Sequence, residues 1–267
     1  MMRVGIAQMP VCADKKKNIA TAREYISHLS DADIVVLPEM FCCPYSNACF
    51  EEYAEPKGGF IWRSMAEFAR EFGVYLVAGS MPERDNGKIY NTSYIFSPLG
   101  EQIARHRKVH LFDIDVKHAQ HFCESETLTG GDDITVFKTP FGNIGVCICF
   151  DIRFPELSRA MAMHGADIII IPAAFNMTTG PAHWELTLRA RAVDNQVFTV
   201  AAAPARDTSS DYVSFAHSMV CSPWGDVVSD AGHGPCEMLV DLELNMVNEV
   251  RLQLPLLSAR RTDVYIK

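Results

Sequence analysis

The chain has 267 residues, of which 48% are hydrophobic, and this length suffices for one domain with an ample core. A net charge of −9 disfavours nucleic acid and anionic membranes as partners, and no apolar run approaches the roughly 20 residues of a membrane span. Nine cysteines without a Cys-x-x-Cys pair predict free thiols in a reducing compartment. Together with an N-terminus that lacks a secretory apolar region, they favour the cytoplasm.

Apolar periodicity predicts alternating strands and helices along the whole chain, without a linker, so we expect residues 1–267 to form a single domain. In the first half we expect helices at 18–29 and 61–72, a hairpin turn at 85–87, and strands at 3–9, 34–37, 74–79, 89–96 and up to 107. In the second half we expect helices at 155–164 and 183–195, and strands at 134–139, 145–149, 167–171, 197–202, 215–221 and 226–229. Continuous Val/Ile runs indicate strands covered on both faces, and hairpins indicate antiparallel pairing. These patterns predict an α/β fold with two mixed sheets and outer helices.

The most informative residue is a cysteine between a predicted strand and a predicted helix. The apolar run 144–148 leads to Cys149, and Pro155 with Glu156 predicts the first turn of a helix. Free backbone N–H groups and the positive end of a helix favour a thiolate, which makes Cys149 a candidate nucleophile. The alternative is a buried thiol that packs as a small hydrophobe, as we expect for Cys147 on the same strand face.

Three other charged residues stand at positions where chemistry is often found. Glu39 ends an apolar run, where functional groups of sheet proteins gather, although an ordinary loop carboxylate fits as well. Lys108 closes a basic run that is also compatible with a solvated strand face. Glu124 has a second acid two residues further on and carries no signal by itself.

A metal site is the main alternative for the histidine-rich segment. His118, His121 and Cys123 form a His-x-x-His-x-Cys pattern, with His106 and His110 nearby. The spacing matches no well-attested zinc site, so a polar loop is the preferred interpretation, and we expect no metal. Glycine-rich phosphate loops and a Gly-x-Ser-x-Gly motif are absent from the sequence.

Residues 38–41, 107–112 and 149–156 together resemble the nitrilase superfamily of carbon–nitrogen hydrolases, whose signature is a Glu, a Lys and a Cys in this order. The resemblance extends from residue 3 to beyond residue 263. It implies a four-layer αββα sandwich, usually assembled as a homodimer or higher homo-oligomer, and no cofactor.

The resemblance also implies a role for each signature residue. Cys149 would be the nucleophile, Glu39 the general base and Lys108 the oxyanion stabiliser. Glu124 matches the second glutamate of the family, which positions the substrate and assists proton transfer. The backbone N–H of Phe150 would be the other oxyanion donor.

Residues 174–185, 191–196 and 212–218 look like the omega-amidase branch, which releases ammonia from the terminal amide of 2-oxoglutaramate and 2-oxosuccinamate. The related deaminated-glutathione amidases usually carry Thr in place of Asn176 and Glu in place of Asp194. The substrate would be a small 2-oxo acid amide that forms a thioester with the cysteine. By this resemblance, the substrate would be held by Arg153, Thr179, Phe175 and Tyr45.

Arg153 also makes physical sense as an acid-binding group, because a guanidinium can take a carboxylate bidentately despite the negative net charge. The alternative is that Arg153 only braces its turn through Asp151 or Glu156.

Other functions stay open at this point. They are a deaminated-glutathione amidase, another carbon–nitrogen hydrolase such as a nitrilase or carbamoylase, and a non-catalytic or metal-binding protein on the same fold. Residues 115–121 depart from the glycine-containing loop usual in the family, and the pair Cys42-Cys43 is unusual beside a substrate pocket.

Overall fold

The structure is a computed structural model that describes residues 1–117 and 120–265. Its α-helices are α1 (Lys15–His28), α2 (Asn47–Tyr53), α3 (Phe60–Phe72), α4 (Pro155–Met163), α5 (Gly180–Asn195), α6 (Asn245–Gln253) and α7 (Thr262–Tyr265). Its strands are β1 (Met2–Gln8), β2 (Ile34–Val36), β3 (Tyr75–Val77), β4 (Met81–Asp85), β5 (Lys88–Phe96), β6 (Gln102–Arg107), β7 (Asp113–Val116), β8 (Gln120–Cys123), β9 (Thr135–Lys138), β10 (Asn143–Val146), β11 (Ile168–Pro172), β12 (Phe198–Ala202), β13 (Met219–Cys221), β14 (Val227–Asp230) and β15 (Cys236–Leu242). Among these residues, no helix is long and apolar enough to span a bilayer.

The strands form two mixed sheets and a separate hairpin. The first sheet has the order β15-β1-β2-β3-β5-β4, with β6 paired to β5, and β1, β2 and β3 are parallel. The second sheet has the order β14-β13-β12-β11-β10-β9, with β10, β11 and β12 parallel. Among the described residues, strands β7 and β8 pair only with each other. Parallel strands end at one edge of each sheet, which is where their loops can meet.

Three buried clusters define four layers. Ile6 and Val36 of the first sheet share a cluster with Ile144 and Ile170 of the second, so the two sheets pack face to face. Helices α1 and α3 cover the outer face of the first sheet, and α4 and α5 cover that of the second. The predicted αββα sandwich of two mixed sheets is confirmed.

The predicted strand at 145–149 is wrong at its end. Strand β10 stops at Val146, and Cys149 begins a short 3-10 helix, Cys149–Arg153, which is followed by α4. The φ angle of Cys149 is +46°, a left-handed conformation that ends the alternation of a strand. Cys147 and Cys149 therefore do not share a strand face, although both are buried.

Several elements were missed or shortened in the sequence prediction. Strand β15 pairs antiparallel with β1 and alternates buried and exposed residues, and its charged outward residues obscured the apolar signal. The strand predicted at 215–221 is confined to Met219–Cys221, because Ala216 and His217 have φ angles of +63° and +56°. Helices α2, α6 and α7 and strands β7 and β8 were not predicted.

Candidate active site

Four side chains meet at one buried point between the loops that follow the strands. The Lys108 ammonium, directly after β6, donates to Glu39 Oε1 at 2.9 Å and to Glu124 Oε1 at 2.9 Å. The Tyr45 hydroxyl donates to Glu124 Oε1 at 2.5 Å and lies 3.3 Å from both Lys108 Nζ and Glu39 Oε1. Glu39, Lys108 and Glu124 are at most 1% exposed. Glu39, Lys108 and Glu124, predicted from separate segments, thus lie in direct contact.

The two oxygens of Glu39 have different surroundings. Oε1 accepts hydrogen bonds from Lys108 and from the Asn91 side-chain amide, the latter at 2.8 Å. Oε2 is buried and has no such partner within the described part of the chain. Burial raises the pKa of Glu39, and the Lys108 charge opposes that rise. Oε2 is therefore the oxygen available to exchange a proton.

Cys149 lies beside Glu39. Its thiol is 4% exposed, and its pKa is raised well above the usual range by burial and then by the Glu39 charge. The Lys108 charge and a hydrogen bond from the Ala174 backbone act in the opposite direction and are smaller. Burial therefore opposes the thiolate form that the strand-to-helix turn favours. A base must take the thiol proton.

Lys108 is the only cation in direct contact with the two carboxylates among the described residues. Burial alone would lower its pKa, but the charges of Glu124 and Glu39 raise the pKa above its ordinary value. The side chain therefore stays an ammonium group in a water-poor site. Such a fixed donor is suited to stabilising a negative oxygen.

A buried carboxylate ties the segment after Lys108 to the cysteine turn. Asp151 accepts from the Ile148 backbone at 3.0 Å, from the His110 backbone at 2.8 Å and from His110 Nδ1 at 2.9 Å. His106 Nε2 lies 3.1 Å from the same carboxylate. Although burial opposes it, hydrogen bonds from His106 and His110 lower the pKa of Asp151. Sequence reasoning missed this role, because only the fold brings these residues together.

Cys149 lines a small cavity of about 10 Å³, room for about one water. Half of its lining residues are aromatic, and the lining includes Phe112, Phe150, Arg153, Phe175, Thr179 and Tyr212. Arg153, Thr179 and Phe175 therefore lie around Cys149, and the backbone of Phe150 continues the turn that Cys149 begins. Tyr45, predicted to line the pocket, lines the neighbouring cavity beside Glu39, and its hydroxyl also contacts the charged residues.

The Arg153 guanidinium lies over the Phe175 ring, 4.5 Å from its centre, and contacts His183 Nδ1 at 3.0 Å. No ion pair joins Arg153 to Asp151, Glu156 or another acid in the described ranges. Burial lowers its pKa. The turn is braced by Arg191, which donates to the carbonyls of Ile152 and Arg153, so Arg153 is not needed as the brace.

The metal alternative rests in part on His118, which lies outside the described residues. His121 and Cys123 lie on β8. Within residues 1–117 and 120–265, no group of three or more His, Cys, Asp or Glu side chains is arranged to hold a metal ion.

Comparison with known proteins identifies the family of the chain. The sequence model of the carbon–nitrogen hydrolase family matches residues 3–252. The chain belongs to the carbon–nitrogen hydrolases. The predicted resemblance to the nitrilase superfamily is confirmed, and the chain is a member of a family of enzymes that hydrolyse carbon–nitrogen bonds.

Individual relatives cover nearly the whole chain. It is 46% identical to omega-amidase NIT2 of Danio rerio and 43% identical to omega-amidase NIT2 of Homo sapiens, in each case over 98% of this chain and 96% of the relative. The crystal structure of Saccharomyces cerevisiae Nit3, a member of branch 10 of the nitrilase superfamily, is 39% identical. That structure superposes with a TM-score of 0.90 over 97% of this chain and 96% of its own.

Proposed function

We propose that this chain is an omega-amidase that hydrolyses the terminal amide of a short 2-oxo dicarboxylate, such as 2-oxoglutaramate or 2-oxosuccinamate. The observation that carries the proposal is the position of Arg153 on the same small cavity as Cys149: it is a half-buried cation without an acidic partner among the residues that the structure describes. A guanidinium there supplies the charge that a carboxylate substrate needs. The identity to NIT2 omega-amidases over almost the full chain supports the same substrate class.

In the first half of the reaction, the Cys149 thiol gives its proton to Glu39 Oε2, and the sulfur attacks the amide carbon. The carbonyl oxygen becomes negative and is stabilised by the Lys108 ammonium and the Phe150 backbone N–H. Glu39 then gives the proton to the amide nitrogen, the carbon–nitrogen bond breaks, and ammonia leaves. The acyl group remains on Cys149 as a thioester.

In the second half, Glu39 takes a proton from water, and the hydroxide attacks the thioester carbon. The carbon–sulfur bond breaks, the 2-oxo acid leaves, and the proton on Glu39 returns to the sulfur. Glu124 and Tyr45 keep Lys108 in place through their hydrogen bonds. One carboxylate thus serves as base and acid in both halves.

We place this amidase in the cytoplasm, because its nine cysteines are free thiols, five of them buried. We also propose a homodimer or higher homo-oligomer, as the family resemblance implies, and residues 1–267 as a single catalytic domain.

The proposal is tested by ammonia release from 2-oxoglutaramate by the purified wild type and the Cys149→Ala variant. We expect release by the wild type and none by the variant, with both proteins unfolding cooperatively on heating. Undiminished turnover by Cys149→Ala would contradict the mechanism. A wild type inactive on 2-oxoglutaramate would contradict the substrate.

A further inference from the structure

A second, larger cavity adjoins the active site. It has a volume of about 290 Å³, and its inner end is formed by Glu39, Tyr45, Ala174 and Tyr212. Its outer part is lined by polar residues of the segment 207–214, including Asp207 and Ser210. The cavity is partly open, so it is a route by which small molecules reach Glu39.

The two cavities share two lining residues. Tyr212 lines both of them, together with Ala174. The Tyr212 hydroxyl donates to the Ala174 carbonyl at 2.6 Å, and its ring stacks on the Tyr45 ring at 4.5 Å between centres. Tyr212 is therefore a wall held at both ends, between the Cys149 cavity and the larger cavity.

The charges on the two sides of this wall differ. The Cys149 cavity contains the Arg153 cation, whereas the larger cavity is lined by the acids Glu39 and Asp207 and by no Lys, Arg or His among the described residues. A substrate acid group is therefore favoured on the Arg153 side. The leaving amine must face Glu39, because Glu39 gives it a proton when the carbon–nitrogen bond breaks. The larger cavity consequently lies on the leaving-group side.

We propose that Tyr212 determines leaving-group size: it closes the amine side of the site, so that primary amides are cleaved and N-substituted amides are excluded. This inference rests on the proposed function and adds a specificity-determining residue to it. When the Tyr212 side chain is shortened, the two cavities join, and an alkyl group on the amide nitrogen can extend into the space of about 290 Å³. The chemistry is unchanged, and an alkylamine leaves in place of ammonia.

The test compares 2-oxoglutaramate with its N-ethyl derivative, with release of 2-oxoglutarate measured for both. The variants are Tyr212→Ala and the bulkier Tyr212→Val, and thermal unfolding shows whether each of them folds. If one variant does not fold, the other still tests the inference. We expect the ratio of kcat/KM for the N-ethyl amide to that for the primary amide to rise at least about tenfold, a usual effect of space for one or two carbons. Tyr212→Phe is the matched control, since it retains the ring and is expected to keep the wild-type ratio.

A second control refills the new space. Ala205 is buried and lines the larger cavity, so Ala205→Leu in the Tyr212→Val background is expected to reverse the gain. An unchanged ratio in a folded Tyr212→Ala or Tyr212→Val protein would overturn the inference. Failure of the wild type to cleave 2-oxoglutaramate would instead overturn the proposed function, so the two failures are distinguishable.

Discussion

The Asn91 side-chain amide donates a 2.8 Å hydrogen bond to Glu39 Oε1, and the Asn91 carbonyl accepts the Lys108 backbone N–H at 2.8 Å. Asn91, a residue of β5, thus holds the side chain of Glu39, the candidate base, and the backbone of Lys108, the candidate oxyanion stabiliser. Because Oε1 is occupied by Asn91 and Lys108, Oε2 is left for the thiol of Cys149.

Asn91→Ala is expected to move the acid limb of the pH dependence of kcat/KM to higher pH. A hydrogen bond to a carboxylate favours its charged form, so the loss of this donor raises the already raised pKa of Glu39 further. Activity requires the Glu39 carboxylate, and it therefore falls at a higher pH than in the wild type. The measurement is a pH profile of ammonia release. Asn91→Asp, which adds a negative charge, is expected to shift the limb further, and an unmoved limb in both variants would refute this role.

Lys108→Met is expected to lower kcat by about 100- to 1000-fold with little change in KM, as for other lost oxyanion donors. The buried ammonium is also the counter-charge of Glu39 and Glu124, so the pKa of Glu39 should rise in this variant. Steady-state kinetics on 2-oxoglutaramate check the prediction. Lys108→Arg keeps the positive charge but changes the shape of the group. It is expected to recover little activity, because the planar guanidinium does not fit a site that holds a compact ammonium group. A change confined to KM would contradict the assignment.

Arg153→Met is expected to affect acidic substrates selectively. Loss of charged hydrogen bonds of about 1.5 to 3 kcal/mol corresponds to a roughly 10- to 150-fold lower kcat/KM for 2-oxoglutaramate. The matched comparison is the methyl ester of the same amide, which lacks the negative charge and should lose far less. Equal losses on both compounds would show that Arg153 acts on the turn and not on the substrate.

Asp151→Asn is expected to destabilise the protein by roughly 3 to 5 kcal/mol at neutral pH, as does removal of one member of a buried pair. The pKa of Asp151 is lowered by its hydrogen bonds in the folded state. Its contribution is therefore present above the unfolded pKa of about 3.9 and is lost as the pH falls through the lower folded pKa. Urea unfolding of both proteins at several pH values should show a difference that shrinks in acid.

Glu156 offers a control for that measurement, since it is exposed at the start of α4. Glu156→Gln is expected to lose at most about 1 kcal/mol, the usual contribution of an exposed acid in the first turn of a helix, and so much less than Asp151→Asn. A constant difference between Asp151→Asn and wild type across the whole pH range would contradict the linkage.

The layers of the fold were predictable from the sequence, because continuous apolar runs such as Ile168–Pro172 become buried parallel strands. Strand β15 was not predictable in this way, because it is an edge strand with exposed charges such as Asp241, paired with Arg3 across 238 residues of sequence. Such pairing depends on contacts between residues far apart in the sequence, which the local hydrophobic periodicity does not reveal.

The candidate site also has features that the sequence predicts and features that it does not. Glu39, Lys108, Glu124 and Cys149 were selected by sequence motifs, and their roles remain predictions. The raised pKa of Cys149 could not be predicted, because burial is a property of the folded site and not of the turn that carries the thiol. The hydroxyl contacts of Tyr45 and the carboxylate of Asp151 arise from loops that meet only after the sheets have packed.

The most direct test of the central claim is a paired assay of the purified wild type on two amides, 2-oxoglutaramate and deaminated glutathione, with 2-oxoglutarate release measured under identical conditions. The Tyr212 wall on the amine side predicts a clear preference in kcat/KM for 2-oxoglutaramate, which has an unsubstituted amide nitrogen. A clear preference for deaminated glutathione would contradict the assignment as an omega-amidase.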